Sequence, residues 1–403
     1  MMRNELDIIE VTGRTIHDSW GYPGIEAEVV LENGAHGRAA VSLGNTDRAK
    51  EQAGIVNEWF SEIILFEDAS DQGKIDRLLL QAAKEGGEGK NENQGILALS
   101  MAVARAAGAG LGLPLYRYLG GTSAPGMPVP MMTMISGGSG EKGLDFHEIM
   151  IVPQGARSYS EGLRMGVEIY QTLKRLLSMS GFSTSVGKGG GFEPDMKNAE
   201  EALHYLMDSF RLTEYKPGID VLVAINAEAD RLYVKEEGSY CFSKESKKGG
   251  ISINRQQKDM IAYYMRLTDG FPICAVMNGL WKADLVGRMQ MMNLLEHRAL
   301  MISDDFNAAN ATIIRMEQAG TVTGALEMVE KARKAGHKVI IASDVRDTEE
   351  SFLSDMAAAV RADYVKSGAP CRGECTAKYN ELLRIEEFYR MPGQPAVCGR
   401  ISL

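Results

Sequence analysis

The chain is short of basic charge, of cysteine and of long apolar runs free of charged residues, and each shortage closes off a class of function. Lysine and arginine number 44 against 54 aspartates and glutamates, for a net charge of −10. Nucleic acids and anionic membranes both reward a basic surface, so neither is an expected partner, and any basic ligand site must be local. Five cysteines, an odd number in 403 residues, point to reduced thiols and a cytoplasmic location. Cys371 and Cys375 lie four apart with no histidine or second pair beside them, so they read as ordinary thiols, not a zinc site. The opening MMRNELDIIEV has no apolar core of signal-peptide length. The most apolar stretch, Gly95–Leu115, is interrupted by Arg105 and rich in glycine and alanine, which suits a closely packed internal helix better than a membrane span. No internal repeat or low-complexity tract is visible.

What is present is ordinary globular material, 44% hydrophobic and 24% charged, in a chain long enough for two domains or a large barrel with a smaller unit. The first segment alternates like strands, in DIIEVTGRTIHDS and IEAEVVLENGAHGRAAVS, with Asn33-Gly34 as a hairpin signal. From about Asp47 to Leu119 the period becomes helical, as at Ile75, Leu78 and Leu79. Strands followed by helices suggest a compact α+β domain over residues 1–120. GGTSAPG (Gly120–Gly126) reads as a linker. Over 127–403, short apolar runs (MPVPMM, IMIVP, VLVAI, PICAV, ALMIS, TIIRM, KVIIAS) alternate with amphipathic helical stretches. That alternation predicts a parallel βα barrel with its site at the carboxyl ends of the strands, a doubly wound sheet being the competitor. The Lys-rich piece Lys244–Lys248 reads as a solvated hairpin or loop.

Four stretches carry a resemblance: TIHDSWGYPGIEAEV, MPVPMMTMISGG (Met127–Gly138), LDFHEIMIVPQGA (Leu144–Ala156) and AKYNELLRIEE (Ala377–Glu387). In these motifs and their order the chain resembles the enolase family over nearly its whole length. The resemblance implies an N-terminal α+β domain, an eight-stranded barrel with an antiparallel start, and dimerisation. It also implies dehydration of 2-phosphoglycerate, in which a lysine takes the proton beside the carboxylate, two Mg²⁺ hold the enolate and a glutamate helps expel hydroxide. The physical need is concentrated positive charge against a dianionic intermediate.

Most positions that would carry this chemistry depart from the family's pattern. Of the three metal carboxylates, one corresponds to Asn226 and one to Met277, with Asn278 beside it; the third survives as Asp304. One carboxylate, one amide and one thioether make a poor cage for Mg²⁺, a hard cation. Asp305, Glu228 and Asp230 lie near in sequence, with surface or structural roles expected of them. Arg315 stands where the base lysine belongs; a guanidinium stays protonated, so it suits an anion or an ion pair with Glu317. Glu148 matches one site glutamate, whereas VGKGGG puts Lys188 and Gly189 where the family has an aspartate and a glutamate. Lys188 near Glu148 could hold a carboxylate, or act as a base if its pKa were depressed. In ASDVRDTEE, Ser343 and Asp344 replace a histidine and an arginine, with Arg346 two residues on able to reach the same space. Lys366 matches the substrate-binding lysine, and Arg372 is retained behind it. Either Ser42 or Thr46 of SLGNT stands for the mobile loop's metal-binding serine, and the loop histidine is missing from SGGSGEK.

These residues lead to a degenerate member of the family that binds a small anion or a protein, as a homodimer or with a true enolase subunit. The alternative is a diverged lyase or isomerase using Glu148, Lys188 and Lys366 on a carboxylate substrate; an ordinary enolase is the third reading. Finally, only NAANA separates ISDDF from TIIRM, too few residues for a crossover helix. One outer helix should be missing there, leaving the barrel distorted or open. The mobile loop is also shortened, where SLGNTDRAKEQ passes quickly to IVNEWF.

Overall fold

The computed structural model describes residues 4–85, 93–123, 125–137, 143–344 and 346–389. Three strands, β1 (Ile8–His17), β2 (Pro23–Leu31) and β3 (His36–Ser42), form an antiparallel meander. The β2–β3 turn carries Gly34 at φ 81°, the left-handed backbone that the Asn-Gly signal predicts. Ile25, Ala27, Val29 and Leu31 alternate along one face and are fully buried. Helices α1 (Thr46–Ile55), α2 (Ser61–Ile64), α3 (Gln72–Glu85), α4 (Asn93–Gly110) and α5 (Leu115–Gly120) complete this unit. A π-helical turn, Val56–Phe60, joins α1 to α2, so the shortened loop runs straight into helix. Helix α4 is the buried apolar helix foreseen above. A Cβ on Gly37 would lie 2.2 Å from the Ala102 carbonyl and the Ala106 amide, so glycine is what lets β3 approach it.

The barrel strands are β4 (Val129–Ser136), β5 (Glu148–Val152) and β6 (Leu222–Asn226), then, after a small sheet of β7 (Tyr233–Val234), β8 (Ser239–Cys241) and β9 (Asn254–Arg255), strands β10 (Ile273–Met277), β11 (Leu300–Ser303), β12 (Ala311–Arg315), β13 (Lys338–Ala342) and β14 (Tyr364–Lys366). They close in the order β10-β11-β12-β13-β14-β4-β5-β6, with β5 antiparallel to both neighbours and the other pairs parallel. One alternate set of side chains, including Met131, Met150, Ala224, Met277 and Ile313, forms a separate inner core. The other set packs outward against the surrounding helices, such as α6 (Tyr159–Met179), capped by Ser158, and α7 (Ala199–Leu212), capped by Asn198. The remaining helices are α8 (Ser243–Gly249), α9 (Gln257–Gly270), α10 (Leu285–Leu295), α11 (Met316–Ala319), α12 (Val322–Lys334), α13 (Phe352–Ala359) and α14 (Gly373–Tyr389). No helix among the described residues is long and apolar enough to cross a membrane.

Two expectations need correction. The sector between β11 and β12 has no crossover helix, yet the barrel is closed there. The ladder is short, Ile302↔Ala311 and Ser303↔Thr312, and a cap replaces the helix. Phe306 stacks on His337 with centroids 6.1 Å apart, Lys331 Nζ lies 4.1 Å over the same ring, and Thr312 Oγ1 is 2.9 Å from His337 Nδ1. Also, Lys244–Lys248 is not a solvated loop but part of α8. Lys244 Nζ donates to the Gly137 carbonyl at 2.6 Å, and Lys248 Nζ donates to the Gly143 carbonyl and pairs with Asp195 at 2.7 Å. Charge density alone could not reveal those carbonyls. Residues 138–142 of SGGSGEK lie outside the described residues.

Candidate functional site

The barrel brings Glu148, Asn226, Met277, Arg315 and Lys366 to one rim, because each lies at the mouth end of its strand. Glu148 opens the antiparallel β5 and sits opposite Asn226, the last residue of β6, which in turn sits opposite Met277, the last of β10. Glu148 Oε2 is 2.8 Å from Lys366 Nζ, and both side chains are buried. Burial alone would raise the Glu148 carboxyl, but Lys366 and His147 outweigh it, and a hydrogen bond with Asn226 adds to them, so its pKa is lowered. Glu148 is therefore an ionised partner that neutralises the retained lysine.

The other cations divide into those committed to carboxylates and one that is not. Arg315 Nε faces Asp344 Oδ1 at 3.5 Å, in place of the ion pair with Glu317 that was one of the two roles expected of it. The turn from β12 into α11 sends Glu317 into the interior, where burial, with Asp347 and Asp344 adding, pushes its pKa up to about 8. Its Oε2 has no hydrogen-bond partner within the protein. Arg372 Nε is held by Glu374 at 2.6 Å. Arg346 reaches across to the N-terminal α+β region: its Nε donates to Ser42 Oγ at 3.0 Å and faces Asp18 Oδ2 at 3.4 Å. Thr46, the other residue of that segment singled out above, begins α1 behind its Asn45 cap. Lys188 lies with its Nζ 4.4 Å over the Trp20 ring, a cation–π contact with no acidic partner among the described residues.

A cavity of about 20 Å³ remains between these groups, lined by Glu148, Gly189, Ser343, Asp344, Asp347, Lys366, Ser367, Gly368, Glu374, Cys375 and Lys378. That is room for a single water-sized particle. Behind it, Lys378 is 1% exposed and pairs with Asp347 at 2.9 Å. Lys378, Asp347, Asp18 and Trp20 are not singled out by the sequence, and Glu317 is named there only as a partner for Arg315. Lys378 and Asp18 lay inside motifs quoted only for the scaffold, and nothing in a linear pattern marks a charge as buried.

The donor set does not fit Mg²⁺. Asn226 is bonded to Glu148, and Met277 is fully buried in the inner core. Asp304 is exposed and lines a different cavity, of about 110 Å³, with Arg288, Lys282 and Asp230. Asp305 is clamped by Arg288 at 2.6 Å, Glu228 pairs with Arg231 at 3.0 Å and lies 3.4 Å from His147, and Asp230 accepts from the Lys282 amide. Among the described residues no group of three or more His, Cys, Asp or Glu side chains is gathered for a metal. A hard divalent cation needs several converging oxygens, and these residues do not converge.

A closed eight-stranded α/β barrel with an antiparallel second strand, a preceding α+β unit and a charged rim at the strand ends defines a barrel protein of enolase architecture. The family model for "Enolase, C-terminal TIM barrel domain" matches residues 125–394, about two thirds of the chain. The chain belongs to the enolase family.

Proposed function

We propose that this chain has lost 2-phosphoglycerate dehydration and serves as a binding protein for a small anion or a protein partner. The observation that carries this reading is the neutralised Lys366: its charge is spent on Glu148, while an amide and a thioether stand at the neighbouring strand ends. An enolate dianion needs concentrated cationic charge. Here the base position holds a guanidinium paired to Asp344, and the small cavity is lined by four carboxylates, Glu148, Asp344, Asp347 and Glu374, against two lysines, Lys366 and Lys378. Catalytic groups that act as a unit are not lost additively, so the remaining Glu148 and Lys366 do not preserve a fraction of the chemistry. Lys188, free of an acidic partner among the described residues, is the group most available to an anion.

The test is incubation with 2-phosphoglycerate and Mg²⁺ alongside thermal denaturation with 2-phosphoglycerate or inorganic phosphate. The expected result is no phosphoenolpyruvate, together with ligand-induced stabilisation if the partner is an anion. Mg²⁺-dependent turnover would make the chain a working phosphopyruvate hydratase and overturn the reading. For a true enolase subunit as the protein partner, co-purification of a heteromer is the expected result, and a clean homodimer with no partner counts against it.

A second reading, a diverged lyase or isomerase acting on a carboxylate, is favoured by the Glu148–Lys366 pair and the uncommitted Lys188. On that reading Lys188→Met or Lys366→Met abolishes turnover of a carboxylate substrate; on the first there is no turnover to lose.

A further inference from the structure

We propose that the barrel mouth is held shut by an internal latch between the two domains, with Arg346 as its bolt. Arg346 leaves the barrel after β13 and inserts beneath the Ser42–Thr46 segment. Its guanidinium carbon lies 2.4 Å from where a Cβ on Gly44 would be, so this glycine is what admits it. Its Nε takes Ser42 Oγ at 3.0 Å and faces Asp18 Oδ2 at 3.4 Å. The receiving side is built in advance. Ser42 donates to Asp18 Oδ2 at 2.5 Å, and Asp18 Oδ1 accepts the amides of Trp20 and Tyr22, each at 2.9 Å. The Asp18 side chain is fully buried, and Arg346 adds a cation to the three donors that already hold its carboxylate.

A second clasp lies across the mouth. Lys188 Nζ sits 4.4 Å over the face of Trp20, and the Ser19 amide donates to the Asp347 carbonyl at 3.0 Å. Both clasps are contiguous with the walls of the small cavity, since Gly189 follows Lys188 and Asp344 and Asp347 flank Arg346. Residues 18–22 and 42–46 are thus pinned beside a cavity of about 20 Å³, which as it stands has no room for a ligand larger than water. Entry then requires the clasps to open. The latch follows from these contacts and holds whether or not the binding role proposed above is right.

Hydrogen–deuterium exchange on the full chain tests it. In Arg346→Gln, amides of residues 18–22 and 42–46 should exchange about tenfold faster, the change expected for loss of one charge-assisted contact. Amides of β6 and β12 should keep their wild-type protection. Lys188→Met should speed exchange at 18–22 by less. Unchanged exchange at 42–46 in Arg346→Gln, or rapid exchange there in the wild type, would overturn the latch. If Arg346→Gln loses protection throughout the barrel, Ser42→Ala serves instead: selective loosening of 42–46 supports the latch, and an unchanged profile sinks it.

Discussion

The seam between the N-terminal unit and the barrel and the mouth of the barrel are both lined with buried charge, and a glutamate of each, Glu350 and Glu317, is treated in opposite ways. At the seam, Glu350 accepts from both terminal nitrogens of Arg105 and from the amides of Ala40 and Phe352. Its pKa is lowered because these contacts outweigh burial. Asp76 likewise accepts from Gln72, Ser100 and the Thr323 amide. At the mouth, Glu317 has an orphaned buried oxygen and a pKa of about 8, and the hydroxyls of Thr133 and Ser367 are buried without partners. Charges that hold a fold together are surrounded by donors. Glu317 at the mouth is only partly compensated, and so is Asp355 at the seam, where burial and the neighbouring Glu381 push its pKa up to about 7.

The largest expected effect breaks the well-compensated side. Glu350→Gln leaves Arg105 buried against a neutral group, and chemical denaturation should show a loss of about 3–5 kcal/mol. A loss under 1 kcal/mol would mean the seam is no better compensated than the mouth. The next acts on Glu317, and the sign follows from its raised pKa. The folded chain holds a proton that the unfolded chain releases near pH 4.5, so stability falls as pH rises from there through about 8. Glu317→Gln removes that penalty, and above pH 8 the variant should exceed the wild type by something on the order of 2–4 kcal/mol. Parallel stability–pH curves for the two proteins would show that Glu317 is compensated after all.

How much of this was legible in the sequence follows the same divide. Seven of the eight barrel strands stand out as apolar runs, because a strand flanked by inner and outer cores must be apolar on both faces. Strand β14 is only Tyr364–Lys366, too short for any period, and Lys366 was found through its motif alone. The missing crossover helix was readable as a spacing, but closure of the barrel was not, since the β11–β12 pairing and the contact of Phe306 with His337 and Lys331 join parts of the chain that no local pattern links. At the mouth, motifs named Glu148, Lys188, Arg315, Arg346 and Lys366. They could not say that Arg315 turns to Asp344, that Asp304 faces another cavity, or that Arg346 crosses to Asp18. Residue identity is local, whereas charge pairing is settled by what tertiary packing brings within a few ångströms.

Lys366→Met sharpens the comparison from the other side. Glu148 keeps Asn226 but loses its cation, and at pH 7 the cost should be about 2 kcal/mol, less than at the seam because a partner remains. In the wild type the lowered pKa of Glu148 contributes stability above pH 4.5 that is lost as pH falls through its folded value. The gap between the two proteins should therefore shrink below pH 4.5 and widen above it. A gap independent of pH would assign the loss to packing of the lysine stem instead of to the ion pair.

The smallest effect concerns the sector without a crossover helix, between β11 and β12. Phe306 is half-buried, so Phe306→Ala should cost only about 1 kcal/mol of global stability. The local effect should be larger than the global one. With the ring gone, His337 loses its stacking partner and the two-residue β11–β12 ladder loses its cover, so the Thr312 amide should exchange faster while the β12–β13 ladder stays protected. Equal loosening of both ladders would show that closure of the barrel is carried by its inner core and that the aromatic cap merely covers a surface.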